Sequence, residues 1–315
     1  MTGTPPPPPP PPPPGYGPPP DEGPSGRPAA LAPRAQVHDV RFSGYEGERT
    51  APAQTPLVLA WWSLLRAFGR RRGWSAKFVP FFLLALAFIP GIGVLTVRAL
   101  LTSRFPGQDL PIELLPYSAY LGMIGTLIVL WTALVTPELV CPDIQHRVTT
   151  LYFATAISPA RYVLGKWLAS MAAMLGMTLL PVLVLWMGNV LFAESIPDAL
   201  ADDASNLPKI VLSGLIVAVF FSTLGLAIAA VTGRRAYSIG AFVGLVLGSV
   251  VLAGTLGATG HDTLSGAVNL VAVPIQLAQR VFTDNGISVT AHAISYAVVV
   301  VASAFALLSR FRAQP

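Results

Sequence analysis

Residues 264–282 read LSGAVNLVAVPIQLAQRVF. The stretch is long enough to cross a bilayer as a helix, which takes roughly 17–25 apolar residues. It nevertheless holds Asn269, Gln276, Gln279, Arg280 and a central Pro274. Whether it crosses decides between a chain of six spans and one of seven. Charge placement arbitrates. With six spans and a cytoplasmic N-terminus, the 20 Lys and Arg residues divide into 16 inside and four outside, the four being Arg98, Arg104, Lys209 and Arg280. A seventh span carries Arg310 and Arg312 to the outside, against the cytoplasmic excess of Lys and Arg in membrane proteins. The stretch is therefore read as a pair of short re-entrant or surface helices on the outer face, under the protein's own cover.

Outward from it, six apolar runs mark the spans: residues 78–101, 117–135, 167–192, 210–231, 237–256 and 289–308. At 1.5 Å per residue a run of twenty covers about 30 Å, the thickness of the hydrocarbon layer. The runs are continuous rather than alternating, which excludes barrel strands. Composition agrees: 53% of the 315 residues are hydrophobic, 11% are charged, and the mean hydropathy is +0.62. A soluble domain carries about 25% charge. The expected fold class is an all-α polytopic membrane protein.

Residues 1–55 form a different segment. Together with Pro56 they hold 18 of the 31 prolines, including an unbroken run from Pro5 to Pro14. Such a segment builds no core and is expected to be a disordered cytoplasmic tail, a stiff spacer in the polyproline conformation. No signal peptide is visible in it. The transmembrane domain is expected over 56–315. It starts with an interfacial helix at 57–72, where Trp61 and Trp62 suit the headgroup level and Arg70, Arg71 and Arg72 suit anionic membrane lipid.

Several function classes recede on the residues. None of the six runs contains Asp or Glu, the usual mark of proton- or sodium-coupled transport. Arg98 and His292 lie near the outer ends of their runs, shallow enough to snorkel. The single Cys141 excludes an intrachain disulfide, and no metal-binding or phosphate-loop pattern is present. No catalytic residue, bound cofactor, metal or nucleic-acid partner is expected on this chain. Pro90, Gly91, Gly93 and Pro181 suit kinks or close helix approach, and the aromatic residues Trp186, Phe220 and Phe221 either line a hydrophobic path or face lipid, with lipid contact the default.

The largest inner connection, residues 138–166, reads ELVCPDIQHRVTTLYFATAISPARYVLGK. Pro142 is expected to break the second span. The next ten or so residues mix Asp143, Gln145, His146 and Arg147 with apolar Ile144, Val148, Leu151, Tyr152 and Phe153, which suits a short amphipathic helix ending near Ser158-Pro159. It is either a docking element or a connector resting on the membrane surface.

The order of interfacial helix, two spans, cytoplasmic amphipathic helix, then four spans with outer helices before the last resembles the permease subunit of type-2 ATP-binding-cassette (ABC) transporters, of the high-GC bacterial kind. In that family's coupling region a charged run is followed by a small residue, Thr-Leu, an apolar patch, Ser-Pro and Gly-Lys. Here Gln145, His146 and Arg147 are followed by Thr150-Leu151, Ser158-Pro159 and Gly165-Lys166. The family's acidic residue and glycine stand here as Gln145 and Thr149, which leaves the acidic contact to Asp143. Upstream, Tyr45-Glu46-Gly47-Glu48-Arg49 resembles a Tyr-x-Gly-x-Arg element preceding the interfacial helix. The likeness spans about 37–312.

The resemblance implies a membrane pathway formed with a second permease chain, identical or not, in the bacterial inner membrane, with both termini cytoplasmic. It implies export driven by a separate ABC ATPase subunit that holds ATP and Mg, contacted through Asp143, Gln145, His146, Arg147, Thr150, Leu151 and Tyr152. The competing readings are a membrane anchor that recruits a partner through its Pro-rich tail, and an ATP-independent facilitator.

Overall fold

The computed structural model describes residues 51–312, except 52, 71–72, 105–114, 155–156, 194, 284–285 and 287. The tail over 1–50, the Tyr45–Arg49 motif, Arg71 and Arg72 lie outside the described residues. Among those described, every regular element is a helix. In chain order they are α1 (Thr55–Ala67), α2 (Trp74–Arg104), α3 (Tyr117–Met123), α4 (Gly125–Val135), α5 (Pro137–Gln145), α6 (Val148–Ala154) and α7 (Pro159–Leu191). Then follow α8 (Ile196–Asp203), α9 (Asn206–Thr232), α10 (Arg235–Ala258), α11 (Asp262–Val268), α12 (Ala272–Arg280) and α13 (Val289–Arg312).

Six helical stretches are long and apolar enough to cross a membrane: Lys77–Arg104, Gly125–Gln145, Pro159–Leu191, Asn206–Thr232, Arg235–Ala258 and Val289–Arg312. They fall on the six expected runs, and the second is displaced toward the C-terminus. There the chain turns at Ile124, resumes as α4, turns at Thr136 and continues as α5. The candidate span accordingly takes in Glu138 and Asp143, so the expectation of spans without carboxylates does not hold. Pro142 does not break the helix either. It sits inside α5, and the carbonyl it leaves without its regular donor belongs to Glu138, in the first turn.

Helix α9 is the axis of the bundle. In its most apolar window 72% of residues are buried, against 17% for α13. It packs on α7, α13, α12, α10 and α5. Close approach is built into the sequence: a Cβ on Gly225 of α9 would lie 2.7 Å from the Thr132 methyl of α4. Phe220 and Phe221 face this interior, not lipid as expected. Both are fully buried, and the Phe220 ring lies 5.4 Å from Phe221 and 5.4 Å from Tyr296. Polar ties join the helices, among them Trp167 Nε1 donating to Thr223 Oγ1 at 2.9 Å and the Tyr296 hydroxyl to the Ile216 carbonyl at 2.9 Å. Each contributes about 0.6 kcal/mol in a membrane bundle.

The stretch that decided the span count forms two short helices, α11 and α12, which pack on α10, α9, α13 and α3. Asn269 separates them, its side chain accepting from the amides of Val271 and Ala272 at 3.1 Å. Pro274 falls in the first turn of α12, where its missing amide costs no helix bond. His292 does not snorkel. It is buried between α13 and α11, and Nδ1 lies 2.9 Å from the Ser288 carbonyl. Arg98 is half-buried and donates to Asn189 Oδ1 at 2.8 Å. Asn189 in turn donates to the Tyr117 hydroxyl, which donates to Asp203. That chain ties α2, α7, α3 and the unforeseen α8 together at one end of the bundle.

Candidate functional site: an ion-pair cluster behind an exposed turn

The opposite end holds the charged cluster. Its first element is α1, whose sequence TPLVLAWWSLLRA separates into two faces. Leu57, Val58, Trp61 and Trp62 point outward and are exposed. Leu59, Ser63 and Ala67 point inward, one turn apart, and Arg66 shares their side of the helix against α7 and α5. The contact with α7 runs over Gly165: a Cβ there would lie 2.9 Å from the Pro56 carbonyl oxygen and 3.0 Å from Leu59.

Glycine at 165 brings α1 close enough for its side chains to reach the next residue of α7. Lys166, buried, donates to Ser63 Oγ at 3.0 Å and lies 2.6 Å from Asp143 Oδ2. The Tyr162 hydroxyl, one turn earlier on α7, donates to the same oxygen at 3.0 Å. Arg66 reaches the other carboxylate oxygen, with Nη1 2.8 Å from Asp143 Oδ1, while its Nη2 donates to the Leu139 carbonyl at 3.2 Å. One carboxylate at the end of α5 thus holds α1 and α7 together. Removing one member of such a buried set costs about 3–5 kcal/mol, because the others are left uncompensated.

Electrostatics follow the geometry. Burial works against the charge of Arg66, but the hydrogen bond and charge of Asp143 outweigh it and hold the guanidinium above its ordinary range. Burial, and then the Asp143 charge, raises the Tyr152 phenol. Neighbouring contacts extend the cluster. Glu138 pairs with Arg235 at the start of α10, and the Tyr162 ring packs 5.0 Å from Phe311 near the end of α13.

The expected coupling residues divide. Gln145 at the end of α5, His146 and Arg147 in the turn that follows, and Thr150 and Leu151 in α6 are all exposed, Leu151 to 67%. Tyr152 is half-buried, its ring 5.6 Å from that of Tyr162. Asp143 is fully buried and bound within its own chain, so the expected outward acidic contact is corrected to an internal one. The segment is also not one amphipathic helix. It is the end of α5 and then α6, separated by a turn in which Arg147 takes φ 53°. Thr150 Oγ1 donates to the Arg147 carbonyl at 2.7 Å and braces that turn. A left-handed conformation costs a residue other than glycine roughly 1–2 kcal/mol. Ser158 caps α7, its Oγ accepting from the Arg161 amide at 3.4 Å, with Pro159 in the first turn.

Of the residues expected at the membrane interface, Trp61 and Trp62 are exposed, and Arg70 stacks over Trp62 with its guanidinium carbon 5.5 Å from the ring centroid. Sequence reasoning missed Arg66, Ser63 and Tyr162, and took Lys166 only as part of a motif. Their signal is spacing. Ser63 and Arg66 sit three apart on the inward side of α1, and Tyr162 and Lys166 four apart on one side of α7.

No family model matches the chain, and no curated protein is significantly similar to it.

Proposed function

We propose that this chain is the permease subunit of an ATP-binding-cassette transporter, forming a membrane pathway with a second permease chain and taking its power from a separate ATPase on the cytoplasmic side, most simply for export. Six apolar helices make a membrane protein of transport type. The observation that carries the finer reading is the contrast across the α5–α6 junction: Gln145, His146, Arg147, Thr150 and Leu151 face outward, while Asp143, two residues before the first of them, is clamped to α1 and α7. A force applied to the turn therefore passes into three helices at once, as a docking lever requires. A ligand shifts two states only through its differential affinity for them, and nucleotide on the partner supplies that difference.

Orientation follows from charge. Arg66, Arg70, Arg147, Arg161, Lys166, Arg234, Arg235, Arg310 and Arg312 gather at the end of the bundle that holds the turn, and an excess of Lys and Arg marks the cytoplasmic side. For the second permease chain, α10 offers a face. A Cβ on Gly240, Gly244 or Gly248 meets nothing within 4 Å, and a four-residue repeat of small residues is the usual contact surface between membrane helices.

The test is co-purification in mild detergent from the native membrane. An ABC ATPase is expected to accompany the wild-type chain and to be lost from Arg147→Glu/Leu151→Asp, with insertion and thermal stability unchanged. ATPase-independent transport by the double variant overturns the reading.

A further inference from the structure

A cavity of about 380 Å³ opens between α1 and α6. Arg66, Arg70, Trp62, Ser63 and Tyr152 line it, together with two leucines. Its electrostatics are unbalanced. In the cluster behind it two cations, Arg66 and Lys166, share the single carboxylate of Asp143, and Arg70 adds a third positive charge at the rim. Arg66 Nε is buried and meets no acceptor. Arg66 is the member of the cluster that reaches the cavity, with a third of its side chain exposed. The surplus of positive charge calls for an anion, and a guanidinium fork matches the oxygens of a phosphate.

The surroundings say which phosphate. Trp62, on which Arg70 stacks, is itself exposed, and so are Leu57, Val58 and Trp61 of the same helix. A soluble anion has no use for this apolar apron, whereas a phospholipid lays its acyl chains along it with the phosphate between the arginines. We infer that the cavity between α1 and α6 is a binding site for the phosphate of an anionic phospholipid, held by Arg70 and Arg66 against Trp62 and Tyr152. The inference needs only a bilayer and does not rest on an ATPase, so loss of the coupling proposal leaves it standing.

The experiment is native mass spectrometry of the delipidated full chain, titrated with phosphatidylglycerol, phosphatidylcholine or inorganic phosphate. Wild type is expected to retain phosphatidylglycerol over phosphatidylcholine. Arg70→Gln removes a charge-assisted contact and is expected to weaken that retention about tenfold. Trp62→Leu is expected to weaken it less, and Lys209→Gln, at the other end of the bundle, not at all. Equal retention by wild type and Arg70→Gln overturns the site. A phosphate adduct lost in Arg70→Gln, without preference between the two lipids, assigns the cavity to a free anion and overturns the lipid. Loss of a co-purifying protein from Arg70→Gln, with lipid retention intact, makes the cavity a protein contact and overturns it equally. Circular dichroism melting of each variant separates these outcomes from misfolding.

Discussion

Lys166 Nζ lies 2.6 Å from Asp143 Oδ2, joining the first turns of α7 to the last turn of α5 with both side chains out of solvent. Asp143→Ala leaves Lys166 and Arg66 facing each other without the carboxylate and is expected to destabilise the protein by about 3–5 kcal/mol. Asp143→Leu combined with Lys166→Met removes the buried pair together, leaves Arg66 free to turn outward, and is expected to recover most of that loss. Thermal unfolding in a single detergent measures both. A single variant as stable as wild type contradicts the clamp.

Much of this architecture is legible in the sequence, because a continuous apolar run of twenty residues has one economical fate in a bilayer. The errors fall where polar groups are satisfied inside the protein. The second span is expected to break at Pro142, whereas α5 runs through it, with Glu138 paired to Arg235 and Asp143 to Arg66 and Lys166. Phe220 and Phe221 read as lipid-facing because hydropathy does not distinguish the middle of a bundle from its perimeter. The polar face of the α5–α6 turn is visible as a cluster of residue types. That Asp143 turns inward while Gln145 and His146 turn outward depends on a carboxylate partner some eighty residues upstream, Arg66, and on another downstream, Lys166. No local pattern contains that information.

Gly165 sets the distance between α1 and α7. A Cβ 2.9 Å from the Pro56 carbonyl oxygen meets backbone, which cannot rotate away, so Gly165→Ala must push α1 outward. The expected cost is about 1–3 kcal/mol of overpacking. Displacement of α1 also lengthens the Lys166–Ser63 contact and exposes the segment to protease. Limited proteolysis around residues 51–70 should speed up in Gly165→Ala, and more so in Gly165→Val. An unchanged digestion rate in both variants contradicts the packing.

Cys141 is buried, and its thiol lies 3.6 Å from the Ala229 carbonyl oxygen. A thiol so placed is out of reach of reagents in solution, so the folded wild-type chain should resist membrane-impermeant maleimides from either side. The exposed turn provides the reporter instead. Arg147→Cys should label rapidly from the cytoplasmic face and not from the outside. Labelling from the outside only inverts the topology and removes the ATPase from reach of the turn.

Gly244 lies at the middle of the open face of α10, four residues from Gly240 and from Gly248, and none of the three is covered by its own chain. If a second copy seats there, the two α10 backbones approach closely enough for cysteines at 244 to bond, which requires Cα atoms within about 7 Å. Because native Cys141 is buried, oxidation of Gly244→Cys membranes should produce a single dimer band. Phe305→Cys, on the exposed face of α13, controls for random collision. Cross-linking at 244 no greater than at 305 contradicts this face as the contact, and a dimer would then have to be sought on α2 or α13, the other long helices whose surfaces are mostly unburied.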